Sequence, residues 1–252
     1  MIPRSKKTLL LVGLLLLLVC ARDSLAQSVL PKVTLGLEEA KSPSDFALTL
    51  QIVFLLTVLA LAPSILIMMT SFTRLIVVFH FLRSALATQT VPSNQILVGL
   101  ALFITFFVMK PVLNEVNETA LQPYLKEEIT QAEALKRAEQ PVKRFMLKQT
   151  REKDIALFVS LRDETRPTSL ADLSLSTVVP SFIISELKTA FQIGFLLYLP
   201  MLLIDIVIAS ILLSMGMMML PPVMISMPFK ILLFVLVDGW YLTIESLVKG
   251  FA

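Results

Sequence analysis

Side chains that bind metals or act as nucleophiles are scarce in this sequence. The 252 residues include one histidine, His80, and one cysteine, Cys20, whereas a zinc site needs about three or four such ligands. A Ser-His-Asp triad could use only His80, which lies in an apolar stretch without a nucleophile motif. Neither a phosphate-binding loop nor a glycine-rich dinucleotide turn occurs. We therefore expect no enzyme activity, no metal, no cofactor, and a structural or interfacial role for His80.

Charged residues are also few, and they are unevenly distributed. They make up 16% of the chain, against about 25% in a typical soluble domain. From Phe46 to Met109 only Arg74 and Arg83 are charged, whereas residues 110–172 contain eleven basic and eleven acidic side chains. Together with a mean hydropathy of +0.82, this pattern indicates a membrane protein with one soluble insert.

The first 26 residues have the features of a cleaved secretory signal. A basic start precedes eleven apolar residues, Leu9–Val19, which are too few to cross about 30 Å of hydrocarbon. Ser24-Leu25-Ala26 then ends in the small-x-small pattern that signal peptidase accepts. We predict cleavage after Ala26. A lipoprotein signal ending at Cys20 and an uncleaved anchor are the alternatives.

The positive net charge of the chain comes from this segment. The whole chain has 22 basic and 19 acidic residues, of which the first 26 positions hold four and one. The mature chain would therefore be neutral, without the basic surplus of a nucleic-acid-binding protein. It would also lack cysteine, so no disulfide framework is possible. We expect lipid and protein as partners, and no nucleic acid.

Apolar runs and prolines divide the mature chain into four parts. These are a polar periplasmic lead (27–45), a first hydrophobic helical hairpin (46–109), a soluble helical periplasmic insert (110–180) and a second hydrophobic helical hairpin with a Met-rich loop (181–252). No period-two alternation indicates a sheet. The predicted fold is an all-α membrane protein with about four hydrophobic helices in two hairpins.

Prolines and charges set the expected helix boundaries. Four spans are predicted. The first covers residues 46–69 with a kink at Pro63, and the second, a marginal span, covers 93–109 and ends at Lys110-Pro111. The other two cover 190–213 and 224–248. The apolar stretch between Arg74 and Arg83 is too short to span, so it either continues the first helix or lies at the interface. Within the insert, Pro141 is expected to separate two helices.

The two arginines also bear on orientation. The loop that holds Arg74 and Arg83 has two cations and no anion, whereas the insert is charge-balanced. The positive-inside rule places such a loop in the cytoplasm. The insert and both termini would then face the periplasm, as a cleaved signal also requires.

Charged residues inside the apolar segments are the candidate functional residues. They are Glu186 and Lys188 before one span, Asp205 within it, and Lys230 and Asp238 in the next. An aspartate at a helix centre costs about 2.5–3.5 kcal/mol on insertion scales, so such groups usually have partners. Ion pairing between subunits, for example of Glu186 or Asp205 with Lys230, is one interpretation. A proton relay and simple structural pairing are others.

An aspartyl-protease dyad is a further alternative for the two intramembrane aspartates. Such a dyad needs Asp205 and Asp238 close together, sharing a proton. The intramembrane aspartyl proteases carry a Gly-x-Gly-Asp signature, and Leu236-Val237 stand before Asp238 instead. The sequence therefore argues against this activity.

A methionine cluster lies between the last two predicted spans. Its members are Met215, Met217, Met218 and Met219 around Gly216, followed by Pro221-Pro222. Three adjacent methionines cannot share one helix face, and the glycine with the double proline indicates a loop. Methionine is adaptable and fills irregular gaps, so a ring of such loops could close a pore by apolar contact and dewetting. An ordinary apolar turn explains the spacing equally well.

Two long stretches resemble a known family. MMTSFTRLIVVFHFLRSALATQTVPSNQILVGLALFITFFVMKP and VVPSFIISELKTAFQIGFLLYLPMLLIDIVIASILLSMGMMMLPPVMISMPFKILLFVLVDGW resemble the two signatures of the FliP/SctR export-gate family. The resemblance covers essentially all of the chain after the signal. The signal and the large insert are more similar to the flagellar branch than to the injectisome branch.

The resemblance implies a function, partners and site residues. Family members form the core of a type III protein export gate in the bacterial inner membrane, within the flagellar basal body. Five copies join FliQ and FliR around a pore, with FlhB and FlhA nearby, and unfolded flagellar proteins pass through. The family's methionine gasket falls on Met217, Met218 and Met219, with Met215 adjacent.

The expected function is therefore a pore subunit sealed by a methionine gasket. Two alternatives remain, an injectisome export gate subunit and a small-solute secondary transporter. Intramembrane Asp and Lys residues would suit ion coupling in a transporter. Four spans without an inverted repeat argue against that fold.

Overall fold

The computed structural model describes residues 43–161, 170–217 and 219–251. The predicted signal peptide, its cleavage after Ala26, the lead up to residue 42 and Met218 lie outside the described residues. Within those ranges the chain is helical and contains no strand, as the all-α prediction requires.

Nine α-helices succeed one another along the described chain. They are α1 (Pro43–Met68), α2 (Phe72–Ala85), α3 (Asn94–Val116), α4 (Gln122–Leu125), α5 (Gln131–Gln149), α6 (Glu152–Leu161), α7 (Leu175–Ser214), α8 (Pro222–Leu236) and α9 (Gly239–Lys249). A π-helical turn, Asn117–Leu121, joins α3 to α4, and a 3-10 turn, Leu170–Asp172, precedes α7.

The stretch between Arg74 and Arg83 forms an independent helix at the centre of the packing. Helix α2 has Leu75, Val78 and Phe79 fully buried, and its closest packing is against α7. It therefore does not continue α1, which ends at Met68. One face of this short apolar helix is buried against α7 and α3, which stabilises it.

Helix α3 runs beyond its predicted end. Pro111 lies inside α3, and the helical path continues through the π-helical turn to Leu125. The predicted end at Lys110-Pro111 is therefore wrong, and the first 16 residues assigned to the insert belong to this helix. Proline removes one backbone hydrogen bond, and the helix-forming residues on both sides of Pro111 continue the helix. With 32 residues, Asn94–Leu125 is a candidate membrane span.

The insert has two helices, but they meet at a different residue from the one predicted. Helix α5 passes through the buried Pro141 and ends at Gln149. Thr150 is extended, and the backbone N–H of Arg151 donates to the Ser185 hydroxyl at 2.9 Å. A tertiary hydrogen bond therefore sets the break, whereas Pro141 does not.

Helix α7 has 40 residues, which corresponds to a length of about 60 Å at 1.5 Å per residue. The predicted span 190–213 is only its second part, and Pro180 lies inside the helix. In the first part, Val178 and Phe182 are fully buried and pack against Met146 of α5 and Ile155 of α6. The insert therefore docks on α7, and the remaining apolar part is left exposed.

The last hydrophobic segment is broken. Helices α8 and α9 meet at a 63° bend, where Asp238 has a left-handed φ of 51°. A Cβ on Gly239 would lie 2.2 Å from the Phe234 ring, so this close turn requires glycine. The described residues contain two candidate spans, or three if the bent pair counts as one. The arrangement of four helices in two hairpins remains a prediction.

Small residues allow α2 and α7 to approach closely. Ala190 is fully buried, and a Cβ added to Gly194 would lie 2.5 Å from Cγ of Phe81. Phe81 also packs edge-on against Phe191, with ring centroids 5.2 Å apart. The pair Ala190 and Gly194, four residues apart, is typical of tight helix contacts in membrane proteins.

We predict that Gly194→Ala destabilises the protein, because the added methyl group must displace the Phe81 ring. Overpacking of this kind costs about 1–3 kcal/mol. The matched control is Gly99→Ala in α3, where nothing lies within 4 Å of the new Cβ. It should be neutral or stabilising, since alanine favours helix by about 0.5–1 kcal/mol. Thermal unfolding of both purified variants measures the difference, and equal melting temperatures would contradict the prediction.

Candidate functional site

A buried ion pair joins α2 to α7. Arg74 is 4% exposed and Glu186 is fully buried. The Arg74 Nε donates to Glu186 Oε2 at 2.9 Å, and its Nη2 donates to Oε1. This parallel, two-bond geometry is the strong form of an arginine–carboxylate contact. The predicted pairing of Glu186 with Lys230 is not formed within the chain, because Arg74 takes that place.

The same guanidinium also holds the chain's C-terminal end. Its Nη1 donates to the Gly250 carbonyl at 3.2 Å, and its Nη2 donates to Gln149 Oε1 at 3.1 Å. The ring of Phe251 lies 3.8 Å from the guanidinium carbon, and Gln149 donates to the Phe251 carbonyl. Arg74 therefore connects the last residue of α5, the end of α9, α2 and α7.

A second buried pair joins α7 to α8. Lys230 is 2% exposed, and its Nζ donates to Asp205 Oδ2 at 2.6 Å. The fully buried Ser226 donates from its hydroxyl to the other oxygen, Oδ1. The structure thus pairs Asp205 with Lys230 within a single chain, whereas the sequence interpretation proposed this pair between subunits.

A polar cavity borders this second pair. Its volume is about 400 Å³, and it is lined by Arg83, Ser84, Ala87, Thr88, Gln89, Tyr198, Asp205, Val223 and Lys230. Arg83 donates to Asn94 Oδ1 at 2.6 Å and contacts His80 Nδ1 at 3.1 Å. His80 thus belongs to a structural hydrogen-bond network at the end of α2.

A third charged cluster fixes the insert to α7. The buried Asp154 accepts hydrogen bonds from Arg151 Nε at 2.8 Å and from the Ser185 hydroxyl. Burial raises the pKa of Asp154, but the hydrogen bonds from Ser185 and Arg151 and the charges of Arg151 and Lys153 lower it, and the net shift is downward. Asp154 is therefore ionised and anchors α6 at the point where α5 ends.

The other two predicted charged residues lie outside these pairs. Lys188 is exposed on α7, and Asp238 is exposed at the bend between α8 and α9. Because Asp205 is bound to Lys230 and Asp238 lies at the far end of α8, the described structure does not bring the two aspartates into one dyad. The described residues contain no cluster of three or more potential metal ligands.

The methionine loop follows α7 directly. Met219 is 98% exposed, Met215 66% and Met217 40%. Gly216 has a φ of +73°, a conformation that favours glycine, and the Met217 N–H donates to the Leu212 carbonyl. None of these three methionines belongs to the buried core of the described chain.

Sequence reasoning missed the partner of Arg74. The sequence interpretation placed Arg74 in a loop, and this is wrong because the residue lies in α2 with its side chain buried against Glu186. Its cytoplasmic location stays a prediction. A signal was present, since Arg74 and Glu186 are both isolated charges near apolar segments. Their separation of 112 residues gave no local pattern by which to match them.

Together these features define an all-helical membrane protein whose buried ion pairs clamp its helices and whose methionine loop exposes Met215, Met217 and Met219. A sequence model of the FliP family matches residues 55–247, and the chain belongs to that family.

Individual relatives match most of both sequences. The flagellar biosynthetic protein FliP of Bacillus subtilis (strain 168) is 56% identical over 212 residues, which are 84% of this chain and 96% of the relative. Proteins with the same name are 50% identical in Pectobacterium carotovorum subsp. carotovorum (82% and 80% covered) and in Aquifex aeolicus (strain VF5) (81% and 86% covered).

We predict that Arg74→Gln destabilises the protein strongly, because Glu186 would remain buried without its counter-charge. Removal of one partner from a buried pair costs about 3–5 kcal/mol. The matched control is Arg144→Gln, which breaks the exposed pair with Glu115 and should cost about 0–1 kcal/mol. Heat stability and accumulation in membranes measure both variants. Similar losses in the two would show that the buried pair has no special role.

Proposed function

We propose that this chain is a subunit of the flagellar type III protein export gate in the bacterial inner membrane. Its relatives are named flagellar biosynthetic proteins, and its apolar helices suit a membrane. The names of these relatives also favour the flagellar function over the injectisome alternative. The transported substrates would be unfolded flagellar proteins.

The chain's role in the gate would be to form and seal a pore. The observation that carries this proposal is the methionine loop, whose described side chains Met215, Met217 and Met219 are exposed at the end of α7. Flexible apolar side chains from several copies can meet on an axis and exclude water. A passing polypeptide would displace them, and they would close behind it.

Assembly with other chains would cover the apolar surfaces that the single chain leaves open. In α7 the residues Phe195, Leu203 and Val207 are each more than half exposed, and so are Leu232, Val235 and Leu236 of α8. Exposed apolar area on this scale marks contact with protein or lipid. We propose a homo-oligomer of five copies with FliQ and FliR, with FlhB and FlhA beside it.

The buried ion pairs would set the register of this assembly indirectly. Asp205 and Lys230 fix α7 against α8, and Glu186 fixes α7 against α2. Each pair orients the apolar faces that a neighbouring subunit would contact. Lys188 and Asp238 are exposed and are available for contacts between chains.

The insert and both termini would face the periplasm. With Arg74 buried, the orientation depends on Arg83 and on the predicted signal peptide. A signal cleaved after Ala26 would place the mature N-terminus outside the cytoplasm.

One observation favours a second function, a small-solute secondary transporter. The polar cavity of about 400 Å³ beside Asp205 and Lys230 has the size and charge to hold a small solute. Solute uptake by the purified protein in vesicles, lost in Asp205→Asn, would support this function in place of an export gate.

We predict that changing Met217, Met218 and Met219 to Ala makes the inner membrane leak ions, because the shorter side chains no longer close the pore. Membrane potential and motility are measured in cells that assemble basal bodies. The control is Met224→Ala in α8, where an exposed methionine lies outside the loop. If the triple variant keeps a membrane that does not leak ions and has normal motility, the methionines serve ordinary packing and do not form a seal.

We predict that Asp205→Asn and Lys230→Met each reduce assembly with partner subunits. The first leaves the buried Lys230 without its counter-ion, and the second leaves the partly buried Asp205 without one. Copurification of partners with the tagged chain measures assembly. Lys249→Met is the control, since its pair with Glu245 is exposed. If these variants and Glu186→Gln all assemble normally, the charges do not set the register.

A further inference from the structure

The polar cavity beside Asp205 and Lys230 contains one positive charge in excess. Three charged side chains, Arg83, Asp205 and Lys230, line it. Asp205 and Lys230 form an ion pair with each other, so the Arg83 guanidinium is the charge that remains. A cavity with this charge favours an anion. Its volume of about 400 Å³ is enough for a carboxylate side chain, since one water molecule takes up about 30 Å³ of liquid.

The described hydrogen-bond partners of Arg83 include no carboxylate. Its Nη1 donates to Asn94 Oδ1 at 2.6 Å and to the Pro92 carbonyl at 3.4 Å, and its Nη2 contacts His80 Nδ1 at 3.1 Å. These contacts hold the partly buried guanidinium at the end of α2. A carboxylate would bind it more strongly than an amide or a carbonyl does, because both partners would then be charged.

Asp238 is a carboxylate without a counter-ion in the part of the chain that the structure describes. It is exposed at the 63° bend between α8 and α9, and its side chain makes no capping hydrogen bond to α9. Val235 and Leu236, which precede it, are 68% and 80% exposed. The bend therefore presents an apolar surface with one negative charge.

The bend and Arg83 lie at the same level along α2. Phe234 precedes the bend and belongs to the same buried cluster as Leu82, the residue before Arg83. Trp240 follows the bend, and its ring lies 6.3 Å from that of Phe79, which is about one helical turn before Arg83. Copies that stand side by side with parallel α2 helices, as in a ring around a pore, therefore bring the bend of one copy to the level of Arg83 in the next.

We propose that Asp238 of one copy enters the polar cavity of the neighbouring copy and forms an ion pair with Arg83 there. Each copy would use two different surfaces, the bend and the cavity, so the same contact can repeat around a closed ring. The contact would compensate both unpaired charges at once and cover the exposed apolar residues of the bend. This inference rests on the proposed assembly of several copies of this chain.

The first experiment tests whether the bend and the cavity meet. Two copies with different tags are expressed together, one with Ser84→Cys in the cavity lining and the other with Val237→Cys beside Asp238. The only natural cysteine, Cys20, lies in the predicted signal peptide. A short, membrane-permeable crosslinker that reacts with two thiols is added to the membranes. We expect a crosslinked dimer that carries both tags.

The control for this experiment pairs Ser84→Cys with Leu157→Cys. Leu157 is 46% exposed, but it lies on α6 of the insert, away from the bend. This pair should give no crosslinked dimer. Equal crosslinking of the two pairs, or no crosslinking of Ser84→Cys with Val237→Cys, would overturn the proposed contact.

The second experiment removes the charge and keeps the bend. Asn tolerates the left-handed conformation and the N-cap position as Asp does, so Asp238→Asn changes little except the charge. We expect a severalfold loss in the fraction of differently tagged copies that purify together. Asp172→Asn is the matched control, because Asp172 is exposed in the 3-10 turn before α7, and it should have no effect. An unchanged fraction with Asp238→Asn would overturn the ion pair.

A failure of this inference can be told apart from a failure of the proposed assembly. If differently tagged copies of the natural sequence purify together but the cavity and the bend do not crosslink, the copies assemble through other surfaces and the inference is wrong. If the natural copies do not purify together at all, the homo-oligomer itself is wrong, and the inference falls with it.

Discussion

The ion pair of Arg74 and Glu186 is the interaction on which the rest of the structure depends. A buried charge pair is stable only when nearly all of its hydrogen-bonding groups are used. Here the guanidinium binds Glu186, Gln149 and the Gly250 carbonyl and stacks on Phe251. These groups come from segments far apart in the chain. Their convergence ties α5 of the insert, the C-terminal end and α2 to α7.

Helix α7 divides its length between two environments. Its first part carries small and polar residues, among them Ser181 and Ser185, that are fully buried under the insert. Its second part is apolar and exposed, as a lipid or subunit contact requires. From Glu186 to Asp205 the helix extends about 28 Å, and from Asp205 to Met215 about 15 Å. One continuous helix thus connects both ion pairs to the methionine loop.

Local patterns predicted the existence of most helices and the loop, because apolar runs, the double proline and Gly216 act within a few residues. Helix ends were predicted less well. Pro111 was expected to end a helix and Pro141 to separate two helices, and both lie inside helices. The break at Thr150 and Arg151 depends on Ser185, and the bend at Asp238 accompanies the fit of Gly239 against Phe234. The contacts that each helix makes with distant parts of the chain offset the one backbone hydrogen bond that an internal proline removes.

The sequence by itself determined the helical class, the apolar character and the identity of the unusual residues, because composition and short-range spacing carry that information. It also singled out Glu186, Asp205 and Lys230 as charges that need partners. Only the tertiary structure decided which charges meet. Arg74 lies 112 positions from Glu186, and Coulomb attraction and desolvation act through space. Folding brings these residues together, so no pattern along the chain could have assigned the pair.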